Sequence, residues 1–228
     1  MVTRAAVITI DGPSASGKGT VAARVAEALG FSLLDSGALY RVLGIAARKQ
    51  QLNLDDHQQL AQLAADLKIE FGNAGPGSVW LNGEDVSLEI RTDAASKLAS
   101  EVGAIPAARE ALLQRQLEFR QPPGLVADGR DMGTIVFPNA ELKIFLTASP
   151  EERAQRRYKQ LIAKGIGAIL PDLLRELKSR DERDSQRAVS PLRPAADATI
   201  LDTTRLTIDE VVTRVLVLAA ASMGDGTP

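Results

Sequence analysis

The segment Gly12-Pro13-Ser14-Ala15-Ser16-Gly17-Lys18-Gly19-Thr20 restricts the folds open to this chain more than any other. It directly follows an apolar run at 6–10 and leads into a helical pattern set by Val21, Ala22, Val25, Ala26 and Leu29. A strand, a loop bracketed by glycines, a lysine and a helix are the parts of a phosphate-binding P-loop. Gly12 and Gly17 let the backbone turn around an anion with no Cβ in the way. Successive N–H groups then point inward as a nest, and the following helix aims its N-terminal dipole at the same place. Lys18 adds a compact positive charge, and Thr20 offers a hydroxyl to a phosphate or to a metal-bound water. Two glycines and a lysine at these places arise by composition in roughly one chain in 15 of this length. The flanking strand and helix therefore carry the reading, against the alternative of a glycine-rich turn that binds nothing. The ligand class implied is a nucleoside polyphosphate.

The common P-loop pattern places Ser or Thr straight after the lysine to hold Mg²⁺. Here Gly19 occupies that place and the hydroxyl comes one residue later. A metal held through water and ligand phosphates is the arrangement this spacing favours. The Gly-Lys-Gly-Thr order is similar to that of the nucleoside monophosphate kinases.

Short apolar runs recur at 6–10, 32–34, 125–127, 142–146 and 198–201, separated by helical patterns. They predict an α/β fold with a buried parallel sheet of about five strands and helices on both faces. Ligands in such folds gather beyond the carboxyl ends of the strands, where Asp11, Asp35 and Asp128 fall. One region breaks the alternation. Residues 68–71 and 79–86 read as strands, Asn82-Gly83 is a tight-hairpin signal, and 72–77 is a loop rich in Gly and Pro. A small α/β insertion over 53–100, set on a core of 1–52 and 101–228, is the expected organisation. Pro122-Pro123-Gly124 marks the return to the core, and the tail 224–228 is expected to be disordered.

Composition excludes several classes. The 228 residues include no cysteine, which removes disulfides, thiolate zinc sites and a cysteine nucleophile. The formal net charge is −2, against a general nucleic-acid binder. No apolar run approaches the roughly 20 residues of a membrane span, and no signal-peptide pattern opens the chain. These features fit a cytoplasmic protein without membrane or nucleic-acid partners. The lack of an exposed apolar seam favours a monomer. His57, the only histidine, sits in a polar stretch and reads as a solvated helix residue.

Three further constellations can carry chemistry. In Asp35-Ser36-Gly37-Ala38-Leu39-Tyr40-Arg41, Ser36 reads either as a helix N-cap or as part of a second ligand site. In the latter case Tyr40 and Arg41 would meet a base or a second phosphate. In Asp128-Gly129-Arg130-Asp131-Met132-Gly133-Thr134, two carboxylates and an arginine flank glycines at a strand end. Asp128 stands where an Asp often supports Mg²⁺ through water. Arg130 suits a bidentate phosphate clamp, and Asp131 can accept hydrogen bonds from an amino-bearing base. The competing reading is a turn with a local Arg–Asp pair. Arg153, Arg156 and Arg157 share one helix face, and Arg180, Asp184 and Arg187 another. They read as exposed ion pairs or as a helical lid, roughly 153–180, closing over phosphates. Nothing local marks Ser100 or Arg109, and composition alone would leave Arg109 as a surface charge.

Together these motifs closely resemble the bacterial cytidylate kinases over nearly the whole chain. The landmarks are the P-loop, Asp35-Ser36-Gly37 with Tyr40-Arg41, Ile105-Pro106 leading to Arg109, and the segment from Asp128 to Thr134. The run Arg180-Asp181-Glu182-Arg183-Asp184 and the stretch Ala188-Val189-Ser190-Pro191-Leu192 complete them. The enlarged insertion at 53–100 also fits that family. The resemblance implies transfer of a phosphoryl group from ATP to CMP or dCMP with Mg²⁺. It implies that Ser36, Ser100, Arg109, Asp131 and Arg187 surround cytosine, and that Arg180 and Asp184 hold the ribose. Arg41 and Arg130 would hold the monophosphate, with Arg187 shared. Residues 12–20 would hold the ATP phosphates, and Arg156 and Arg157 would serve the lid. Lys18, Arg130, Arg156, Arg157 and Arg187 would supply catalytic charge. One departure is Ala15, where many relatives carry Gly; Ala is tolerated there if its φ is negative. Rival readings are a P-loop kinase for UMP, AMP or shikimate, a nucleotide-dependent switch, and, least supported, a nucleic-acid protein. No Asn-Lys-x-Asp motif of a GTPase is present.

Overall fold

The computed structural model describes residues 4–71, 78–163 and 165–224. The loop read at 72–77 and all but the first residue of the tail read as disordered lie outside them. Five strands form the main sheet: β1 (Ala6–Asp11), β2 (Ser32–Asp35), β6 (Gly124–Gly129), β7 (Leu142–Thr147) and β8 (Thr199–Asp202). Their order is β2-β6-β1-β7-β8. β1 pairs in parallel with β6 and β7, and β7 with β8. Each strand lies within a residue or two of the apolar run that predicted it. β1 and β6 are buried nearly throughout, which is why they read as continuous apolar runs rather than alternating ones. β1 is the central strand, and a crevice beyond its carboxyl end is where such a sheet places ligands.

One face of the sheet is covered by α1 (Lys18–Leu29) and α8 (Ile208–Met223). Val21, Ala22, Val25 and Ala26 of α1 meet Val211, Val212, Val215 and Ala219 of α8 and the strand residues Ile8, Ile10, Val126 and Ile144. At i, i+1, i+4 and i+5 on α1 and at i, i+1, i+4 and i+8 on α8, these side chains form one apolar stripe on each helix. α8 starts at a capping box, in which Thr207 and Glu210 each bond the other's backbone N–H. α6 (Pro150–Ile162) and α7 (Leu170–Ser185) pack against each other as a helical pair. None of the described helices is long and apolar enough to cross a membrane.

The chain divides into two compact units, one of 1–34 with 118–228 and the other of 35–117. The second unit contains α2 (Ser36–Lys49), α3 (His57–Asp66), a three-stranded sheet and α4 (Asp93–Val102), followed by α5 (Pro106–Glu118). Its sheet has the order β3 (Ile69–Phe71), β4 (Val79–Leu81), β5 (Glu84–Asp85), with both pairings antiparallel. Asn82 and Gly83 make the β4–β5 turn with φ of 50° and 85°, as the Asn-Gly signal predicts. The 53–100 segment thus shares its unit with α2 and α5, and α2 packs directly on α4. His57 opens α3 and is exposed.

Candidate active site

The P-loop leaves the end of β1 and enters α1 at Lys18. Gly12 has φ 154° and Gly17 φ 90°. A Cβ on Gly12 would lie 2.2 Å from the Leu146 carbonyl oxygen, so both conformation and space demand glycine there. Ala15 has φ 60°, in the left-handed region. The condition of a negative φ is therefore not met: the loop needs a left-handed turn here, and Ala15 makes it at some steric cost. The Ser16 hydroxyl is buried and has no hydrogen-bond partner among the described residues. Lys18 Nζ folds back to 3.4 Å from the Pro13 carbonyl and 4.0 Å from Asp128 Oδ1.

The approach of Asp128 explains the departure at position 19. A Cβ on Gly19 would stand 3.1 Å from Asp128 Oδ2. The carboxylate at the end of β6 thus occupies the space next to α1 that a Ser or Thr side chain would take. Asp11 and Asp128 are brought to the same edge by the parallel register, in which Asp11 faces Gly129 and Ile10 faces Asp128. Among the described residues no group of three or more His, Cys, Asp or Glu is arranged to hold a metal ion.

Beyond Asp128 the chain folds over β1 through a π-helical turn, Met132–Val136. Arg130 Nε donates to Asp184 Oδ2 at 3.2 Å, and Arg130 Nη1 to its neighbour's carbonyl at Gly129. Arg187 Nη2 donates to Asp184 Oδ1 at 2.6 Å, and Arg180 Nε lies 3.9 Å from Asp184 Oδ2. Asp184 is 1% exposed. Burial alone would raise its carboxyl, but the charges of Arg130, Arg187 and Arg180 outweigh burial and hold it below the ordinary value. Arg180 and Asp184 share a face of α7, but the helix ends at Ser185, so Arg187, expected on the same helix face, reaches Asp184 from just beyond the helix end. What spacing does not reveal is that Arg130, 54 residues away, joins them.

The first arginine group is placed differently from a free lid face. Arg153 is 3% exposed and donates to the carbonyls of Ala148 and Ser14 at 3.1 Å each, and to Asp181 of α7 at 2.5 Å. Arg156 donates to the Thr203 carbonyl at 2.5 Å and hydroxyl at 3.1 Å, to the Ser16 carbonyl at 3.4 Å and to Glu152 at 2.9 Å. Arg157 reaches Gln160 on its own helix. Arg153 and Arg156 therefore take up the P-loop carbonyls of Ser14 and Ser16.

In the second unit Ser36, Tyr40, Ser100 and Arg109 are all buried. The N-cap of α2 is Asp35, whose Oδ1 accepts from Ala38 N at 3.0 Å, and Ser36 is the first helical residue. Arg41 lies 3.5 Å from Asp35 Oδ2. Arg109, at 8% exposure, is not a surface charge. Its guanidinium stacks 5.3 Å from the Tyr40 ring centre and donates to the Gly103 carbonyl at 3.0 Å. The ring, 69 residues away, and the carbonyl, six residues away, offset part of the cost of burial.

Sequence reasoning placed Asp11 at the ligand edge but gave it no role. Its carboxylate, 5% exposed, accepts from Met132 N at 2.9 Å and Gly133 N at 2.8 Å. Burial pushes its pKa up to about 7, against the lowering effect of those two N–H donors, and the nearby charges of Asp131 and Asp128 add to the rise. The available signal was a carboxylate ending an otherwise apolar strand.

A parallel sheet whose central strand runs into a glycine-bracketed, lysine-bearing loop, with arginines gathered at the same edge, defines a P-loop phosphotransferase. The profile of cytidylate kinase matches residues 8–221, and the chain belongs to the cytidylate kinase family. It is 59% identical over 215 residues to the cytidylate kinase of Pseudomonas fluorescens strain Pf0-1, covering 93% of this chain and 94% of that one. It is 58% identical over 210 residues to that of Chromobacterium violaceum, covering 92% and 93%. Among solved structures, a gluconokinase from Sinorhizobium meliloti 1021 shares the fold, with TM-score 0.50 and 16% identity over 96% of this chain and 94% of that one.

Proposed function

We propose that this protein transfers the γ-phosphoryl group of ATP to CMP and dCMP with Mg²⁺, giving ADP and the pyrimidine diphosphate. The observation that carries the reading is the Asp128–Gly133 segment. It stands at the end of β6, beside the P-loop, in a chain of the cytidylate kinase family. Residues 12–20 bind the ATP phosphates, with the buried Ser16 hydroxyl and the inward N–H groups as donors. The residues this reading assigns to CMP are those the family resemblance implies: Ser36, Tyr40, Arg41, Ser100, Arg109, Arg130, Asp131, Arg180, Asp184 and Arg187.

The acceptor phosphate oxygen is already anionic near neutral pH, so the reaction needs no general base. Catalysis rests on in-line alignment and on charge stabilisation. Lys18 and Arg130 neutralise charge on the transferring group, joined by Arg156, Arg157 and Arg187. Closure of the α6–α7 pair keeps water away. Mg²⁺ accompanying ATP supplies further neutralisation of the phosphates. Asp128, whose Oδ2 lies 3.1 Å from where a Cβ on Gly19 would stand, would hold the metal through water. Asp131 selects an amino-bearing pyrimidine by accepting its hydrogen bonds.

The test is ADP release from Mg-ATP with CMP, dCMP, UMP, AMP, GMP or shikimate supplied separately. Fast turnover with CMP and dCMP, slower with UMP and negligible with the rest is expected. Activity mainly with another acceptor would overturn the base-site assignment. Release that depends on no acceptor would favour a nucleotide switch instead. Asp131→Asn should lose the preference for CMP over UMP, and an unchanged preference removes Asp131 as the reader.

A further inference from the structure

Asp11 stands where the donor and acceptor loops meet. It is the last residue of β1, and the P-loop begins at the next position. Its two carboxylate oxygens are divided between consecutive backbone N–H groups of the opposite loop, Met132 and Gly133. Those two residues directly follow Asp131. The loop also lies tightly on the strand: a Cβ on Gly133 would stand 2.8 Å from Thr9 Oγ1 and 3.4 Å from Asp11 Oδ2. Thr9 and Asp11 project from the same face of β1, two residues apart. The β1–β6 pairing runs up to Asp11 opposite Gly129, and beyond it the bidentate carboxylate ties the turn to β1.

We infer that Asp11 is a positioning residue for the acceptor nucleotide, holding the Asp131–Gly133 turn in fixed register with the P-loop through its two backbone hydrogen bonds. The inference rests on the functional reading above, in which Asp131 meets the base. The role assigned to Asp11 is one of positioning, through the turn it holds. Only a carboxylate serves both N–H groups. An amide of the same shape accepts from one and sets its own NH₂ against the other.

The experiment is steady-state kinetics of Asp11→Asn with CMP, UMP and ATP varied in turn, beside thermal melting. The amide is uncharged and nearly isosteric, so it lowers the burden of burial and the variant is expected to fold. KM for CMP should rise about tenfold or more, the effect of losing one charge-assisted bond. KM for ATP should stay within about twofold, kcat should change less than KM for CMP, and the CMP-over-UMP preference should shrink. A merely structural role would lower the melting temperature and move both KM values together. That result, or an unchanged KM for CMP, overturns the inference. Gly133→Ala supplies a second route, because its Cβ lifts the turn from Thr9 and Asp11 while leaving the carboxylate in place. It should show the same split between the substrates, and equal effects on ATP and CMP would count against Asp11. The two failures are separable. Absent CMP turnover in the wild-type protein rejects the functional reading. Normal CMP turnover with equal KM values in wild type and variants rejects the role of Asp11 alone.

Discussion

Removing the Asp184 carboxylate charge is the sharpest test of how the arginine-rich end of α7 is held. At an effective dielectric of about 20, a pair of unit charges 2.6–3.9 Å apart attracts by roughly 4–6 kcal/mol. Three guanidiniums sit in that range, and most of the gross attraction is cancelled by the several kcal/mol needed to desolvate each ion. What remains visible is the cost of leaving the arginines without their carboxylate, about 3–5 kcal/mol for a buried pair broken on one side. Arg130 and Arg180 are 17% and 19% exposed and regain some water, which places Asp184→Asn at the lower end, about 3 kcal/mol. For a chain of this size that corresponds to a fall of about 6–12 °C in Tm. The assay is thermal melting by circular dichroism near neutral pH, with Asp172→Asn as control. Asp172 pairs with Arg175, which is 79% exposed, and exposed pairs of this kind contribute little. A shift for Asp184→Asn no larger than for Asp172→Asn would refute the reasoning. The pH dependence has a definite sign. The Asp184 carboxyl is held low in the folded state, so its contribution is complete above the unfolded value of about 3.9 and is lost as pH falls through the folded one. The gap between wild type and Asp184→Asn should therefore be flat through neutral pH and close only in strong acid.

Two further substitutions test the P-loop. Ala15→Gly removes a left-handed alanine, a strain of about 1–2 kcal/mol partly offset by glycine's extra chain entropy. It should raise Tm by a few degrees without loss of activity, and a lower Tm would contradict the strain. Gly19→Ala brings a Cβ to 3.1 Å from Asp128 Oδ2 and pushes that carboxylate away. It should reduce kcat/KM for ATP about tenfold, or about 1.4 kcal/mol, with folding retained. Unchanged kinetics would show that the placement of Asp128 beside α1 has no part in turnover.

Much of the architecture was legible because its signals are local. Residues 6–10, 125–127 and 142–146 are continuous apolar runs, and a strand buried on both faces requires that pattern. Asn82-Gly83 specifies its own turn through positive φ at both positions. The Gly12–Thr20 motif identified a phosphate loop from nine consecutive residues, and Arg180 and Asp184 declared a shared helix face by spacing alone, whereas Arg187 lies past the end of α7 at Ser185.

The tertiary structure decided what these residues touch. Arg109 looked like a surface charge because its stacking partner, Tyr40, and the rest of its burial come from other elements. Arg153 read as one arginine of an exposed row, yet its guanidinium reaches the Ser14 carbonyl 139 residues away. Asp11 and Met132 are 121 positions apart, and only the parallel pairing of β1 with β6 brings them together. Backbone conformation and apolar periodicity are properties of neighbouring residues, so the sequence alone determined the strands, the hairpin and the phosphate loop. The partner of a buried charge is set by chain segments that meet only on folding, so the fold alone decided which carboxylate holds which arginine or loop.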